Sequence, residues 1–399
     1  MKELNDRQKA GERMRVLRIA HSSLTPALRE RERAFARQFP EVDLEVVTTE
    51  RWREAEVDVE ATSDDLFPVT TARRHFSKHI QLFAYSPRPI IDAITRHRPH
   101  LIDLNHEPYS VACAEILTLC SLFAAKTPIV MQTNQNILRR YPPPFNLLER
   151  RALRRVSAAY ACSETVREVL RAKGFDKPMP VIPFGVNAER FHPRRDGQAN
   201  SANTLTIGFV GRMLEEKGLK VLVDAVAKLK TEDWRLLLVG DGPERKAVEQ
   251  RLAHHRLLDR TQFTGAISYD CVPDLYREMD VLVMPTRTTE RLREQFGRVI
   301  VEAMASGVPV IGSTCGAIPE VIGDAGLVFP EGHHYALANT LRRVLRDSAL
   351  RQRLARAGRQ RVAQHFTWER VAAQTYELFC YLLRNENVLA LNRPLELVA

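Results

Sequence analysis

Two glutamates, Glu294 and Glu302, stand with seven residues between them in the segment Glu294-Gln-Phe-Gly297-Arg-Val-Ile-Val-Glu302. From Phe296 onward, Val299, Ala303 and Met304 recur at helical spacing. That pattern predicts a helix with Glu302 in its second turn and Glu294 just ahead of its start. The exposed N–H groups and positive dipole end of such a start favour a diphosphate, and Gly297 leaves room for it. One carboxylate could then hydrogen-bond sugar hydroxyls, while the other could grip a vicinal diol such as a ribose. Two carboxylates beside a diphosphate would repel it without cationic compensation. Arg212, after Gly211, and Lys217, in Glu216-Lys217-Gly218, supply that charge. A guanidinium forks onto phosphate oxygens and an ammonium acts as a compact charge. Together they can stabilise a leaving diphosphate as charge builds on it. A surface arginine and a helix-start lysine are common in any protein, so the reading rests on their coincidence with the paired glutamates.

Weaker signals lie nearby. Gly240-Asp241-Gly242-Pro243 reads equally as a tight turn before a proline-initiated helix. The loop Gly265–Ser268, which contains Ile267, could hold a nucleobase by its backbone groups. Neither stretch matches a P-loop or a dinucleotide fingerprint. Earlier in the chain, His106-Glu107-Pro108 follows the strand-like run Leu101–Asn105. His106 could hydrogen-bond a transferred sugar or orient an acceptor, with Glu107 as a second acceptor contact. A lone histidine is as readily structural. No two aspartates are separated by a single residue; Asp58-Val-Glu60 comes nearest. No metal site is therefore expected.

These residues need elements to hold them. Strand-like and helix-like segments alternate in two sets. The first set has strands at Met14–Ala20, Val42–Thr49, Leu101–Asn105, Pro128–Gln132 and Ala158–Ser163, and a helix over Pro26–Phe39. Another helix opens at Ser163, its cap, and closes at Gly174. Residues 50–87 are polar and mixed and show no clear period. A run rich in Pro, Arg, Gly, Asn and Ser over 191–204 reads as a linker. The second set has strands at Leu205–Val210, Arg235–Val239, Gln262–Thr264, Val281–Met284, Val308–Ile311 and Leu327–Phe329. Helices are expected there over Leu219–Leu229 and Pro243–His254. Such alternation implies parallel sheets with helices on both faces. Ligands of open parallel sheets bind beyond the carboxyl ends of the strands, and the residues singled out above directly follow predicted strands.

The chain has 399 residues, 44% of them hydrophobic, which suits two packed domains. No run of about 18 apolar residues predicts a spanning helix. The polar start from Met1 to Arg15 carries no secretory signal pattern, so a cytoplasmic location is expected. The six cysteines are scattered without C-x-x-C spacing, which predicts reduced core thiols. The formal net charge is +10. Much of the excess is concentrated at Arg139, Arg140, Arg150, Arg151, Arg154 and Arg155 against Glu149. A solvated helix face, peripheral contact with an anionic membrane or contact with a phosphorylated acceptor would each explain that cluster. No zinc-finger spacing or RNP-like aromatic pattern supports nucleic acid as a partner.

At this point the chain resembles glycosyltransferase family 4. The matching stretches are GRMLEEKG, LVGDGPE, EQFGRVIVEAMASGVPVIGS and GAIPEVIGDAGLVFPEG. Looser matches are HEPYS, QNILRRYPPPFNLLERRALRR, SETVREVLRAKGF and PFGVNAERF, and FTWERV resembles the family's last helix. The resemblance implies an α/β chain of the GT-B fold: two Rossmann-like parallel-sheet domains facing a central cleft, with a C-terminal helix crossing back to the first. The expected parts are an acceptor-side domain over 1–190, a linker over 191–204, a nucleotide-sugar-binding domain over 205–365 and a final helix within 366–399. It also implies a retaining, metal-independent transfer of a sugar from a nucleotide-diphosphate donor to a glycan, lipid-linked or small-molecule hydroxyl. No cofactor is expected beyond that co-substrate, UDP- or GDP-linked. By the resemblance, Gly211, Arg212, Lys217, Gly265, Ile267, Glu294, Phe296, Gly297, Val299 and Glu302 bind the donor. Arg212 and Lys217 take the diphosphate, Glu302 the ribose, Glu294 the donor sugar, and Phe296–Gly297 offer backbone amides. His106 corresponds to the family's cleft histidine, so His106, Glu294, Arg212 and Lys217 form the expected catalytic set. The family is thought to retain configuration by front-side attack, which requires no protein nucleophile. One departure stands out: the first loop, Ala20 to Thr25, lacks the glycines common in the family. Other functions compatible with the same fold are a nucleotide-sugar epimerase, a phosphorylase or a catalytically silent nucleotide-sugar-binding protein.

Overall fold

The structure, a computed structural model, describes residues 13–54, 57–77, 79–194 and 204–384. The chain divides into two compact units. The first runs to Pro183 and resumes at Trp368; the second is Phe184–Thr367. The division thus precedes residues 191–204, of which 195–203 lie outside the described residues.

Each unit holds one six-stranded parallel sheet. In the first unit the order is Ala158–Ala161, Ile129–Thr133, Leu101–Asn105, Met14–Ala20, Val42–Thr49, Val69–Ala72. In the second it is Thr261–Gly265, Trp234–Val239, Leu205–Val210, Val281–Met284, Val310–Ser313, Leu327–Phe329. Numbered within its own unit, each sheet has strand order 3-2-1-4-5-6 or its mirror, the doubly wound Rossmann arrangement. The reversal of strand order falls between the first and fourth strands. In the second unit those strands pair through Ile207 with Val281 and Gly208 with Leu282. Their carboxyl ends therefore deliver Gly211–Arg212 and the loop after Met284 to adjacent positions. The two Rossmann-like α/β units constitute the GT-B fold.

The period of two explains the layers. In the first unit Leu17, Ile19, Ile102, Leu104, Ile129 and Met131 face one helix layer. Val16, Leu101, Val130, Ala158 and Tyr160 face the other, which includes Val371, Ala372, Leu378 and Phe379 of the Trp368–Leu383 helix. That helix also packs on the Glu30–Gln38 helix: Phe39 stacks on Tyr376 at 4.0 Å, and Trp368 Nε1 donates to Glu30 at 3.0 Å. In the second unit Ile207, Phe209, Leu236, Leu238, Val281, Val283 and Ile311 pack beneath the 219–226, 245–254 and 334–346 helices.

Four expectations change. The Pro26–Phe39 helix is a 3-10 turn over Pro26–Leu28 followed by an α-helix over Glu30–Gln38. The break falls at Arg29, whose buried guanidinium donates to the carbonyls of Ser23, Leu24 and Thr62. The helices expected over Leu219–Leu229 and Pro243–His254 are shorter, covering Leu219–Val226 and Arg245–His254. Ser163 is the residue before the Glu164–Ala172 helix, but its hydroxyl pairs with Thr165 instead of capping a backbone N–H. The described residues within 50–87 form regular structure. They contain the hairpin of Arg51–Glu54 with Val57–Glu60, the edge strand Val69–Ala72 and a pairing of Arg74–His75 with Ala84–Tyr85. Beneath the first sheet Arg18 is fully enclosed. It donates to Glu32 at 2.5 Å, Asp103 at 2.5 Å and Gln132 at 3.2 Å, a network that supplies partners for every buried charge it contains. The six cysteines are free thiols, five of them buried and Cys271 exposed.

Candidate active site

The second unit gathers its polar residues at the switch point. A Cβ on Gly218 would lie 2.0 Å from the Pro285 carbonyl oxygen. Only glycine therefore lets the start of the Leu219–Val226 helix sit against the loop leaving the Val281–Met284 strand. Arg287 N–H donates to the Glu216 carbonyl at 2.7 Å across the same approach. Lys217, one residue before Gly218, is thereby held beside that loop, and its ammonium donates to Glu294 Oε2 at 2.7 Å. Both side chains stay partly open, at 21% and 13% exposure, so the pair remains accessible to a ligand. Arg212 is exposed directly past the end of the Leu205–Val210 strand, after Gly211, whose N–H closes onto Val239 at 3.0 Å.

Glu294 is fixed from a second side. Gly316, with φ +57°, places a would-be Cβ 2.1 Å from the Glu294 carbonyl oxygen, and Ala317 N–H donates to that oxygen at 3.0 Å. The loop after the Val310–Ser313 strand is thus the support for Glu294. The expected helix begins at Arg298 and ends at Ala305, with Gly297 as its N-cap. Phe296 does not offer its ring to solvent. The ring is buried edge-on against Phe184 at 5.5 Å and Phe366 at 5.6 Å, which fixes the backbone ahead of the helix.

Glu302 lies in the second turn and is 5% exposed. Tyr269 donates to its Oε1 at 3.2 Å and Tyr276 to its Oε2 at 3.0 Å. Burial, reinforced by the Glu302 charge, pushes the Tyr276 hydroxyl well above its ordinary pKa, so it remains a donor. Arg298 reaches the Tyr269 hydroxyl at 3.2 Å and stands 3.8 Å from Glu302 Oε1. Val299 is half-buried, and its carbonyl accepts a further contact from Tyr276 at 3.3 Å. Gly265 closes the Thr261–Gly265 strand and accepts from Gly240 N–H at 3.1 Å. Ile267 is half-buried in the loop beyond it. Among the described residues, no group of three or more His, Cys, Asp or Glu side chains is placed to hold a metal ion.

His106 and Glu107 lie in the first unit, past the Leu101–Asn105 strand. His106 is buried, with Nε2 3.0 Å from the Tyr85 hydroxyl and Nδ1 without a hydrogen-bond partner. Burial, then His21 and Arg18, holds its pKa well below the usual imidazole range. The ring sits in a nest with His21 at 5.2 Å and Phe83 at 5.7 Å. Glu107 takes Thr133 Oγ1 at 2.6 Å and Asn134 N–H at 2.9 Å, so its carboxylate orders the following loop. Burial raises its pKa, against the lowering effect of those hydrogen bonds.

The supports of the site escaped the sequence reading. Tyr269 and Tyr276 are seven residues apart, two helical turns, and that spacing was a usable signal. Gly316 offered only a glycine, and His21 only a histidine in the first loop.

The family described as Glycosyltransferase Family 4 matches residues 30–190, and the family Glycosyl transferases group 1 matches residues 193–361. The 2-deoxystreptamine glucosyltransferase of Streptomyces kanamyceticus is 33% identical over 252 residues, 59% of this chain and 64% of that protein. The D-inositol 3-phosphate glycosyltransferase of Streptomyces bingchenggensis is 33% identical over 243 residues, 55% of this chain and 52% of that protein. The chain thus spans between half and two thirds of the length of these relatives. Among solved structures, a glycosyltransferase from Rickettsia africae superposes with a TM-score of 0.72 at 18% identity, covering 94% of this chain and all of that one. Anabaena HepE in complex with UDP superposes with a TM-score of 0.71 at 20% identity, covering 92% and 100%. These likenesses agree with the fold. With its two halves matched in order by two glycosyltransferase families, the chain belongs to glycosyltransferase family 4.

Proposed function

We propose that the chain transfers a sugar, with retention of configuration, from a nucleoside-diphosphate sugar to a hydroxyl of a glycan, lipid-linked or small-molecule acceptor. The observation that carries this reading is the Lys217–Glu294 contact of 2.7 Å beside the start of the Arg298–Ala305 helix. A cation, a sugar-binding carboxylate and a helix N-terminus then meet at the switch point of a Rossmann sheet, where nucleotides bind. Arg212 and Lys217 would hold the diphosphate and stabilise it as the glycosidic bond breaks, so the charge compensation comes from side chains and activity should survive EDTA. Glu294 would contact the donor sugar and Glu302 the ribose diol. The loop Gly265–Ser268 would line the nucleobase. In the first unit His106 would contact the acceptor, with Glu107 holding the loop beside it. UDP is the first donor nucleotide to test, since HepE was solved with it.

Calorimetric titration with UDP and GDP, followed by turnover with the matching sugar donors, tests the reading. Lys217→Ala and Arg212→Ala should each lower turnover by ~10²-fold or more. Unchanged rates in both would remove the proposed site. Donor conversion without an acceptor would instead favour an epimerase. Tight nucleotide binding without turnover on a broad acceptor panel would favour a silent binding protein.

Peripheral contact with an anionic membrane at a cytoplasmic face is part of the proposal. It is supported by exposed Arg140, Arg150, Arg151 and Arg154 lying along the chain with exposed Leu138 and Leu147. Charge attraction and apolar insertion act together in such surfaces. Glu149, the acidic member of the cluster, is occupied internally by Lys173. Among the described residues no helix is long and apolar enough to cross a membrane. Sedimentation with anionic but not neutral liposomes at low salt is the expected result; no pelleting with either ends this part of the proposal.

A further inference from the structure

The ribose-side carboxylate does not stand alone. Glu302 is 5% exposed, and burying a carboxylate is costly unless its oxygens are hydrogen-bonded. Tyr269 donates to Oε1 and Tyr276 to Oε2, one hydroxyl to each oxygen, at 3.2 and 3.0 Å. The two tyrosines come from consecutive elements, the 3-10 turn Tyr269–Cys271 and the helix Val272–Arg277. Both rings rest on Phe191, at 5.8 and 5.9 Å, and Phe191 is completely buried. Arg190 lies over the Tyr269 ring at 4.3 Å and is itself tied to Asp270 at 2.7 Å. The chain of support therefore runs from the PFGVNAERF segment through two aromatic rings to one carboxylate.

We propose that Tyr276 and Tyr269 are positioning residues that aim the Glu302 carboxylate at the ribose hydroxyls and so set the enzyme's discrimination between ribo- and 2′-deoxyribonucleotides. The inference rests on the ribose role proposed for Glu302. A carboxylate can accept two hydrogen bonds per oxygen, so one tyrosine on each oxygen does not exhaust it. What the tyrosines remove is rotation: a bond on each oxygen fixes the carboxylate plane. A bidentate grip on a diol needs that plane fixed, and an unpaired polar group left by a missing hydroxyl is what makes such sites selective. The Val299 carbonyl, on the same helix, lies 3.3 Å from the Tyr276 hydroxyl and shares its single proton with Glu302, which keeps the tyrosine against the helix that carries the carboxylate.

The test measures Kd for UDP and 2′-deoxy-UDP, with the GDP pair in parallel, for the wild type, Tyr276→Phe, Tyr269→Phe, Glu302→Gln and Lys217→Ala. Phenylalanine keeps the ring against Phe191 and removes only the hydroxyl. The wild type should prefer the ribonucleotide. Tyr276→Phe should weaken the ribonucleotide by roughly tenfold and leave the deoxynucleotide within about twofold, so the preference shrinks. Tyr269→Phe should do the same to a smaller degree, because Arg298 also stands 3.8 Å from Oε1. A purely structural role would weaken both nucleotides together, or shift neither, and either outcome overturns the inference. Should Tyr276→Phe fail to fold, the Tyr269→Phe ratio decides. Lys217→Ala should weaken both nucleotides equally through the diphosphate. If it does so while the tyrosine variants leave the ratio unchanged, this inference fails and the proposed function stands. If the wild type binds no nucleotide at all, both fall.

Discussion

Gly316→Ala should damage the active site without touching a ligand. The new Cβ would begin 2.1 Å from the Glu294 carbonyl oxygen. Even a close C–H···O contact holds carbon and oxygen about 3.3 Å apart, so the two loops must part by roughly 1 Å. That movement breaks the 3.0 Å bond from Ala317 N–H to the same carbonyl, and it carries Glu294 away from Lys217, now 2.7 Å away. Misplacing a catalytic group by about 1 Å can cost on the order of 10²-fold in rate. A second cost is conformational: alanine at φ +57° in the left-handed region loses ~1–2 kcal/mol. A control separates the two effects. Gly174, in the first unit, has φ +83° with nothing within 4 Å of its would-be Cβ. Gly174→Ala should therefore lower the thermal midpoint and leave turnover intact. The assay is kcat and KM for the donor in both variants, with circular dichroism to establish folding. Folded Gly316→Ala turning over within about threefold of the wild type would show that this loop does not place Glu294, and the argument from close approach would be wrong.

Other perturbations act on stability. Burial lowers the His21 pKa from 6.5 to about 4, against a raising backbone hydrogen bond at Asn105. The unfolded chain thus takes up the proton first, and stability falls as pH drops from about 6.5 to 4, by roughly 3 kcal/mol from this group. Thermal midpoints measured across that window should decline, and His21→Phe should make the decline shallower. Phe296→Ala empties the space between Phe184 and Phe366 and should cost ~3–5 kcal/mol in chemical denaturation of the second unit. Arg18→Met leaves buried Glu32 and Asp103 with only the more distant Arg31, 3.9 Å from Asp103, as cation. A loss of ~3–5 kcal/mol is expected, read from the urea midpoint of the first unit, and a midpoint unchanged within error would refute the account of that network.

All strands of the two sheets except Val69–Ala72 were legible because buried parallel strands are short apolar runs, and Leu101–Asn105, Leu205–Val210, Val281–Met284 and Leu327–Phe329 match their predicted bounds. The paired glutamates were legible because the helix that separates them has a visible period. What escaped was decided by tertiary contacts. The break at Arg29 exists because a buried guanidinium collects the nearby carbonyls of Ser23 and Leu24 together with the distant ones of Thr62 and Ser63, which no local propensity encodes. Residues 50–87 show no period because their hairpin and edge strand are too short to repeat one. The Thr133 and Asn134 donors that reach the Glu107 carboxylate come from the next strand and its loop, so sequence shows the carboxylate but not its partners.

The seven-residue spacing of the glutamates has a physical reason that emerges only from their supports. Glu294 precedes the helix and is held by loops from two neighbouring strands, through Lys217 on one side and Gly316–Ala317 on the other. Glu302 rides on the helix and is held by Tyr269 and Tyr276. The first is tied to a partly open cation and stays partly open itself, which suits the contact with a variable sugar proposed for it. The second is enclosed and held at both oxygens, which suits the contact with an invariant ribose proposed for it. A change of donor sugar would therefore be accommodated by the loops around Glu294, whereas the geometry around Glu302 would have to stay the same. Substitutions in residues 287–293 should accordingly alter which sugar is transferred without altering affinity for the free nucleoside diphosphate, and a matched loss of both would show that the two carboxylates do not divide the ligand in this way.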